Sequence, residues 1–225
     1  MLYSGTVFPK SIDYSFRGNY MAFTDTTLRQ LTIAPINYKN PSLVSDRIVL
    51  RYLKSPYSLS IDWIHDLIYW ADLETRAINV VNINRSEDHY IIINTTNHIP
   101  NDLIVNVVDS CLIWTNVSFT PRIMRSFEDG SQQIVLYSLH KQPFHLTIDI
   151  LLKRYFFIDI EDFTLNSIDF EGRDDRKHFE AKKLFNAINS GVIYGDNIFL
   201  LTDSLFYSIN KGCVRLVSSI KAILG

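Results

Sequence analysis

Four carboxylates recur at near-regular intervals, Asp25, Asp72, Asp159 and Asp203, with Asn116 in the intervening place. Carboxylates are the usual oxygen ligands of hard cations and common proton carriers, so metal or acid–base chemistry is the first reading to test. Repetition argues against it. An active centre needs unlike groups converging on one point, whereas a residue present in every unit is explained by a bond that every unit requires. A second series, Asp62, Asn106 and Asp149, offers three oxygens that could hold a cation if all faced one cavity. Asp and Asn also bond readily to strand-end backbone, and neither Glu nor His joins them at matching places. The expectation is backbone bonding, with no catalytic residue, resident metal or cofactor.

Other chemistry is sparse. His65, His89, His98, His140, His145 and His178 show no pair at the i, i+4 spacing of a metal-binding helix, and are expected to be single surface or loop histidines. No Gly-rich phosphate loop, Gly-x-Ser-x-Gly elbow or Cys-x-x-Cys occurs. Cys111 and Cys213 are too few for a disulfide scaffold or a cysteine zinc cage; Cys111 opens an apolar run and is expected to be a buried thiol. Sequons stand at Asn84, Asn94 and Asn116. Asn84, in an expected hairpin turn, and Asn94, at an expected strand end, are the glycosylation candidates; Asn116 is expected to be enclosed.

What must position these residues is a repeat. YMAFTD, LIYWAD, CLIWTN, YFFID and IFLLTD end at Asp25, Asp72, Asn116, Asp159 and Asp203, in steps of 47, 44, 43 and 44 residues. Pro9, Pro56, Pro100 and Pro143 each stand sixteen residues before the polar residue closing their own unit, and Ala187 takes that place in the fifth. Units two to four also share a leucine (Leu59, Leu103, Leu146) and a β-branched residue (Ile61, Val105, Ile148) in the same phase. Within the second unit, short apolar runs at 59–62, 67–71, 78–83 and 90–94, bounded by polar residues, predict four strands. The segment 180–188 is the best helical candidate, and equally an inter-unit loop.

Four strands every 44 residues or so is the signature of a β-propeller, whose radial sheets bury one another's apolar faces. The expected fold is all-β: one domain over 1–225 with five four-stranded blades at about 9–55, 56–99, 100–142, 143–186 and 187–217. With only 8 glycines, polar turns must do part of the work glycine does in other hairpins.

The central segments resemble the YWTD motif of low-density-lipoprotein receptor class B repeats. Tyr69, Trp70, Ala71 and Asp72 miss only the threonine; Trp114 and Thr115 precede Asn116; Thr24 with Asp25 and Thr202 with Asp203 keep the second half; Phe156, Phe157, Ile158 and Asp159 keep an aromatic pair and the acid. The closing Ile-x-Arg-x-x-Leu-Asp-Gly segment has counterparts in Ile123, Arg125, Asp129 and Gly130, and in Leu165, Phe170, Glu171 and Gly172. The resemblance spans about 9–217. It implies a YWTD-type propeller of a family that normally has six blades and carries cysteine-rich modules at its ends, neither of which this chain shows. It also implies that the repeated acids organise contacts between strands and blades.

With 22 Lys plus Arg against 24 Asp plus Glu, nothing favours phosphate backbones, and nucleic acid is disfavoured as a partner. Residues 1–20 lack a signal-peptide pattern, and no run of about twenty apolar residues follows; no direct membrane insertion is expected. The functional expectation is a non-catalytic module of a lipoprotein-receptor-like or Wnt-co-receptor-like cell-surface protein, binding an extracellular protein ligand. Its parent would be membrane-anchored, and the loop at Phe119, Pro121 and Arg122 would contribute to recognition. The competing expectation is a calcium-dependent lactonase or esterase on a related propeller.

Overall fold

A computed structural model describes residues 9–36, 47–95, 97–138, 142–159, 161–162, 164–180, 188–194, 197–202, 206–210 and 213–217. Four-stranded antiparallel sheets follow one another along the chain, each ordered as in the sequence. The first holds β1 (Pro9–Ser15), β2 (Tyr20–Asp25), β3 (Gln30–Pro35) and β4 (Arg47–Leu50). The second holds β5 (Pro56–Asp62), β6 (Leu67–Asp72), β7 (Ala77–Asn82) and β8 (Arg85–Asn94). The third holds β9 (Ile99–Asn106), β10 (Cys111–Val117), β11 (Arg122–Phe127) and β12 (Ile134–Ser138). The fourth holds β13 (Pro143–Asp149), β14 (Arg154–Asp159), β15 (Thr164–Asp169) and β16 (Arg176–Glu180). The backbone of β17 (Ile188–Tyr194), β18 (Asn197–Thr202), β19 (Phe206–Asn210) and β20 (Cys213–Val217) pairs in the same order.

Two compact units are distinguished: Met1–Ser118 with Met124–Ile134, and Phe119–Ile123 with Val135–Gly225. The predicted strands of the second repeat hold, but β8 begins at Arg85, so the turn before it is Ile83–Asn84 rather than Asn84–Ser86. Segment 180–188 contributes Glu180 to β16 and Ile188 to β17 at its two ends; 181–187 lie outside the described residues.

The sixteen-residue spacing has a direct structural cause. Pro9 pairs with Asp25, Pro56 with Asp72, Pro100 with Asn116 and Pro143 with Asp159, each at the mouth of the first hairpin of its sheet. The register shifts directly inside that pair in the first three sheets and one pair further in, after Phe144, in the fourth. A proline is tolerated where a bulge leaves its missing N–H unneeded.

Side-chain alternation along a strand then buries both faces of a sheet. Trp70 packs with Tyr20, Leu31, Ile33 and Leu50 of the first sheet, while its neighbour Tyr69 packs with Leu103, Val105 and Trp114 of the third. The adjacent aromatic pair thus serves two seams. Trp114 is wholly buried and Tyr69 and Trp70 nearly so; burying such a side chain contributes about 3 kcal/mol.

First strands are also tied across the seams by side chains. Ser11 Oγ accepts from the Leu59 N–H at 3.1 Å, and Asp13 Oδ2 accepts from that of Ile61 at 2.8 Å. One sheet further on, Ser58 and Ser60 Oγ accept from Leu103 and Val105 N–H at 3.0 and 3.1 Å. The leucine and β-branched positions that kept phase in the sequence are therefore the donors of these seam bonds.

Candidate functional site

The first four sheets each turn from first to second strand through four residues, and the residue before the turn caps it. Asp62 Oδ1 accepts from Ile64 N at 2.8 Å and His65 N at 3.2 Å; Asn106 Oδ1 accepts from Val108 and Asp109 N; Asp149 Oδ1 accepts from Leu152 N; Ser15 Oγ accepts from Gly18 N. The last turn residue then takes positive φ: Asn19 54°, Asp66 57°, Ser110 49° and Lys153 51°. In three sheets its carbonyl accepts the N–H of the residue following the third strand: Asn19 O from Ile36 N, Asp66 O from Ile83 N and Lys153 O from Phe170 N. Asp62, Asn106 and Asp149 thus carry the same turn, and the sequence expectation of backbone bonding for them describes what their Oδ1 atoms do.

The YWTD-position residues do related work at the opposite end of the sheets. Asp25 Oδ1 caps Thr27 and Leu28 N, and Asp159 Oδ1 caps Glu161 and Asp162 N. Asp72 is more heavily used: Oδ1 accepts from Thr75 N, while Oδ2 accepts from Lys54 and Ser55 N of the linker leading into the same sheet. Asn116 differs. Its Oδ1 accepts the Trp114 indole N–H at 3.1 Å, and the amide is enclosed. Asp203 lies outside the described residues.

Asn84 is exposed in its turn and Asn94 exposed at the end of β8. Cys111 opens β10 with its thiol buried; the Cys213 side chain is outside the described residues. Ser167 and His178 form a Ser–His pair, with Oγ 2.7 Å from Nε2, and resemble a nucleophile and its base. Ser167 is wholly buried and its Oγ also accepts from Arg154 Nε at 2.8 Å, so substrate has no path to it. Arg154 in turn is held by Asp174 Oδ2 at 2.9 Å.

The turns between first and second strands present an unexpected surface. At their first or second positions apolar side chains stand in solvent: Phe16 is 72% exposed, Trp63 41%, Ile64 40% and Val108 58%, while Val107, the first residue of the third turn, is buried; Phe127, on the same end of the third sheet, is also exposed. In the second compact unit the equivalent turn exposes Ile150, Leu151 and Leu152. A tight turn has no structural need of such side chains. The signal in the sequence is an aromatic or aliphatic residue one or two places after the capping Ser, Asp or Asn, at Phe16, Trp63, Ile64 and Val108. At the opposite end Phe119 is fully exposed, whereas Pro121 is buried and Arg122 half-buried.

His65 does not stand alone as expected. Its Nδ1 lies 2.5 Å from Asp62 Oδ2, and the Glu128 carboxylate joins them, with the three ligand-type atoms all within 4.8 Å of one another. His65 and Asp62 belong to the first turn of the second sheet, and Glu128 to the connection between β11 and β12 of the third. That connection is set by Gly130, whose φ of +80° and whose approach to the Ile92 carbonyl, 2.3 Å from where a Cβ would sit, exclude other residues. The Asp62 carboxylate raises the pKa of His65. Burial, and secondarily Asp62, push the Glu128 carboxyl up.

Comparison with known proteins bears first on the fold. No family model matches the chain. Low-density lipoprotein receptor-related protein 5 of Mus musculus is 30% identical over 81 residues, 36% of this chain, and the aligned stretch spans only 5% of that protein's length. Among solved structures, the nidogen/laminin complex superposes with a TM-score of 0.82 over 93% of this chain and 78% of the matched one, at 16% identity. A gluconolactonase from Xanthomonas campestris gives 0.79 over 97% and 77%, at 12% identity. A luciferin-regenerating enzyme gives 0.75 over 98% and 78%, also at 12%. The chain is an all-β propeller of four-stranded sheets. At these identities the likeness extends to fold alone, since propellers carry many unrelated functions. Among the described residues no helix is long and apolar enough to cross a membrane.

Proposed function

We propose that the chain is a non-catalytic propeller of the YWTD type, forming one domain over 1–225 with β17–β20 as its fifth blade, and that it recognises an extracellular protein. The observation that carries this reading is the set of exposed apolar turns, Phe16, Trp63, Ile64 and Val108, all at the first-to-second-strand end of their sheets. Exposed apolar residues held on rigid turns suit a protein-binding face, with the aromatic side chains as its anchors. The partial likeness to the lipoprotein-receptor-related protein supports a receptor-type setting. On this reading the parent protein is extracellular or membrane-anchored, and Asn84 and Asn94 carry sugar. The lactonase alternative is disfavoured by the use of the Asp62, Asn106 and Asp149 Oδ1 atoms in turn capping.

Expression through a secretory route, followed by a binding screen against purified ectodomains and matrix proteins, tests the proposal. The expected result is a glycosylated product, with mobility shifts lost in Asn84→Gln and Asn94→Gln, and at least one saturable protein partner. Calcium-dependent hydrolysis of a sugar lactone well above background, with no protein partner, would overturn it.

A further inference from the structure

The Asp62, His65 and Glu128 group has a property that turn chemistry does not explain. Glu128 Oε1 is sealed from solvent and has no hydrogen-bond partner. Buried carboxylate oxygens are costly without one, and an orphan of this kind calls for a specific occupant. Asp62 has one oxygen committed to its turn and the other, Oδ2, facing His65 Nδ1. His65 is 57% exposed in its side chain while Asp62 is fully buried and Glu128 is half-buried, so the group combines a buried carboxylate, a half-buried one and a solvent-facing imidazole. The Asp62 and Glu128 carboxylates repel each other, and a cation held between them removes that repulsion and supplies a partner to a Glu128 carboxylate that has an unsatisfied oxygen.

We propose that Asp62 Oδ2, His65 Nδ1 and the Glu128 carboxylate form a binding site for a divalent transition-metal ion of the zinc class. An imidazole nitrogen with two carboxylate oxygens is a borderline donor set that suits zinc, whereas calcium takes six to eight oxygens. Tetrahedral ligands about 2.0–2.1 Å from zinc stand about 3.3 Å from one another. His65 Nδ1 and Asp62 Oδ2, now 2.5 Å apart, need to separate by about 0.8 Å to reach that spacing, and the Glu128 side chain closes the third side. The proton shared by His65 and Asp62 leaves to solvent as the ion arrives, and water fills the open position. The ion links the first turn of one blade to the third-to-fourth-strand connection of the next, beside the exposed Trp63 and Ile64. The site is distinct from the Asp62, Asn106 and Asp149 trio considered from sequence, and it is independent of the ligand-binding reading above.

Calorimetric titration of the folded chain at neutral pH with zinc chloride and, separately, calcium chloride tests the site. The expected result is one saturable zinc site that weakens as pH falls, and that weakens at least about tenfold in both His65→Gln and Glu128→Gln. These two changes leave the Asp62 turn cap in place, and circular dichroism verifies the fold of each variant. The control His89→Gln, on an exposed histidine of β8, is expected to bind zinc as the unaltered chain does. No saturable zinc binding below about 1 mM, unchanged affinity in both variants, loss in the His89 control alone, or a preference for calcium would each overturn the proposal.

Discussion

Asp13 shows how one residue can serve a seam at a cost. Its Oδ2 accepts from Ile61 N and from the Ser60 hydroxyl, where the next sheet uses the neutral Ser60 for the equivalent bond to Val105 N. Burial raises the Asp13 pKa, outweighing the lowering by these hydrogen bonds. A carboxyl whose folded pKa lies above its unfolded value makes folding less favourable as pH rises from the unfolded pKa through the folded one, and the penalty persists above it. Asp13→Asn keeps an acceptor for Ile61 N and removes the charge. Urea denaturation across pH is therefore expected to find the variant and the unaltered chain alike in acid. The variant should become relatively more stable as pH rises past the ordinary carboxylate range and stay so at neutral pH. The seam role of Asp13 was not legible in sequence, because its partner is 48 residues away and only sheet adjacency brings them together. His65 and Glu128 were missed for the same reason. Asp62, Asn106 and Asp149 were legible because their partners lie two or three residues on.

At the scale of elements, the turns explain how a propeller forms with 8 glycines. A side-chain oxygen closes the turn at one end, and a polar or charged residue accepts the left-handed conformation at the other, at a cost of about 1 kcal/mol each relative to glycine. Glycine is kept where a neighbour leaves no room. Gly130 meets the Ile92 carbonyl and Gly172 the Leu136 carbonyl, and a Cβ would lie 2.3 and 2.1 Å from those oxygens. Two opposite effects are expected. Gly130→Ala and Gly172→Ala should each destabilise the fold by about 2 kcal/mol or more, whereas Lys153→Gly should stabilise it by about 0.5–1 kcal/mol. Thermal unfolding monitored by circular dichroism measures both. The strands themselves were legible because apolar runs, prolines and acids kept one phase. The start of β8 at Arg85 was not, since its first residues are polar and mostly exposed, and burial pattern rather than propensity is what the apolar runs record.

For the whole molecule, the repeat is a structural device and the departures from it carry the functional argument. YWTD-position residues and turn caps recur because they close the turns of their own sheets. The apolar turn positions recur too, but without a structural need, and so point outward to a partner. The recognition surface expected from sequence is the loop holding Phe119; an exposed loop residue is easy to find in a sequence, whereas an exposed turn residue next to a buried strand is not. The most direct test is surface-plasmon measurement of partner binding by the chain carrying Trp63→Ser with Val108→Ser, beside one carrying Tyr52→Ser with Phe119→Ser. With both variants folded, the first is expected to bind at least about tenfold more weakly and the second to bind as the unaltered chain does. Undiminished binding by the first variant, with loss in the second, would contradict the account.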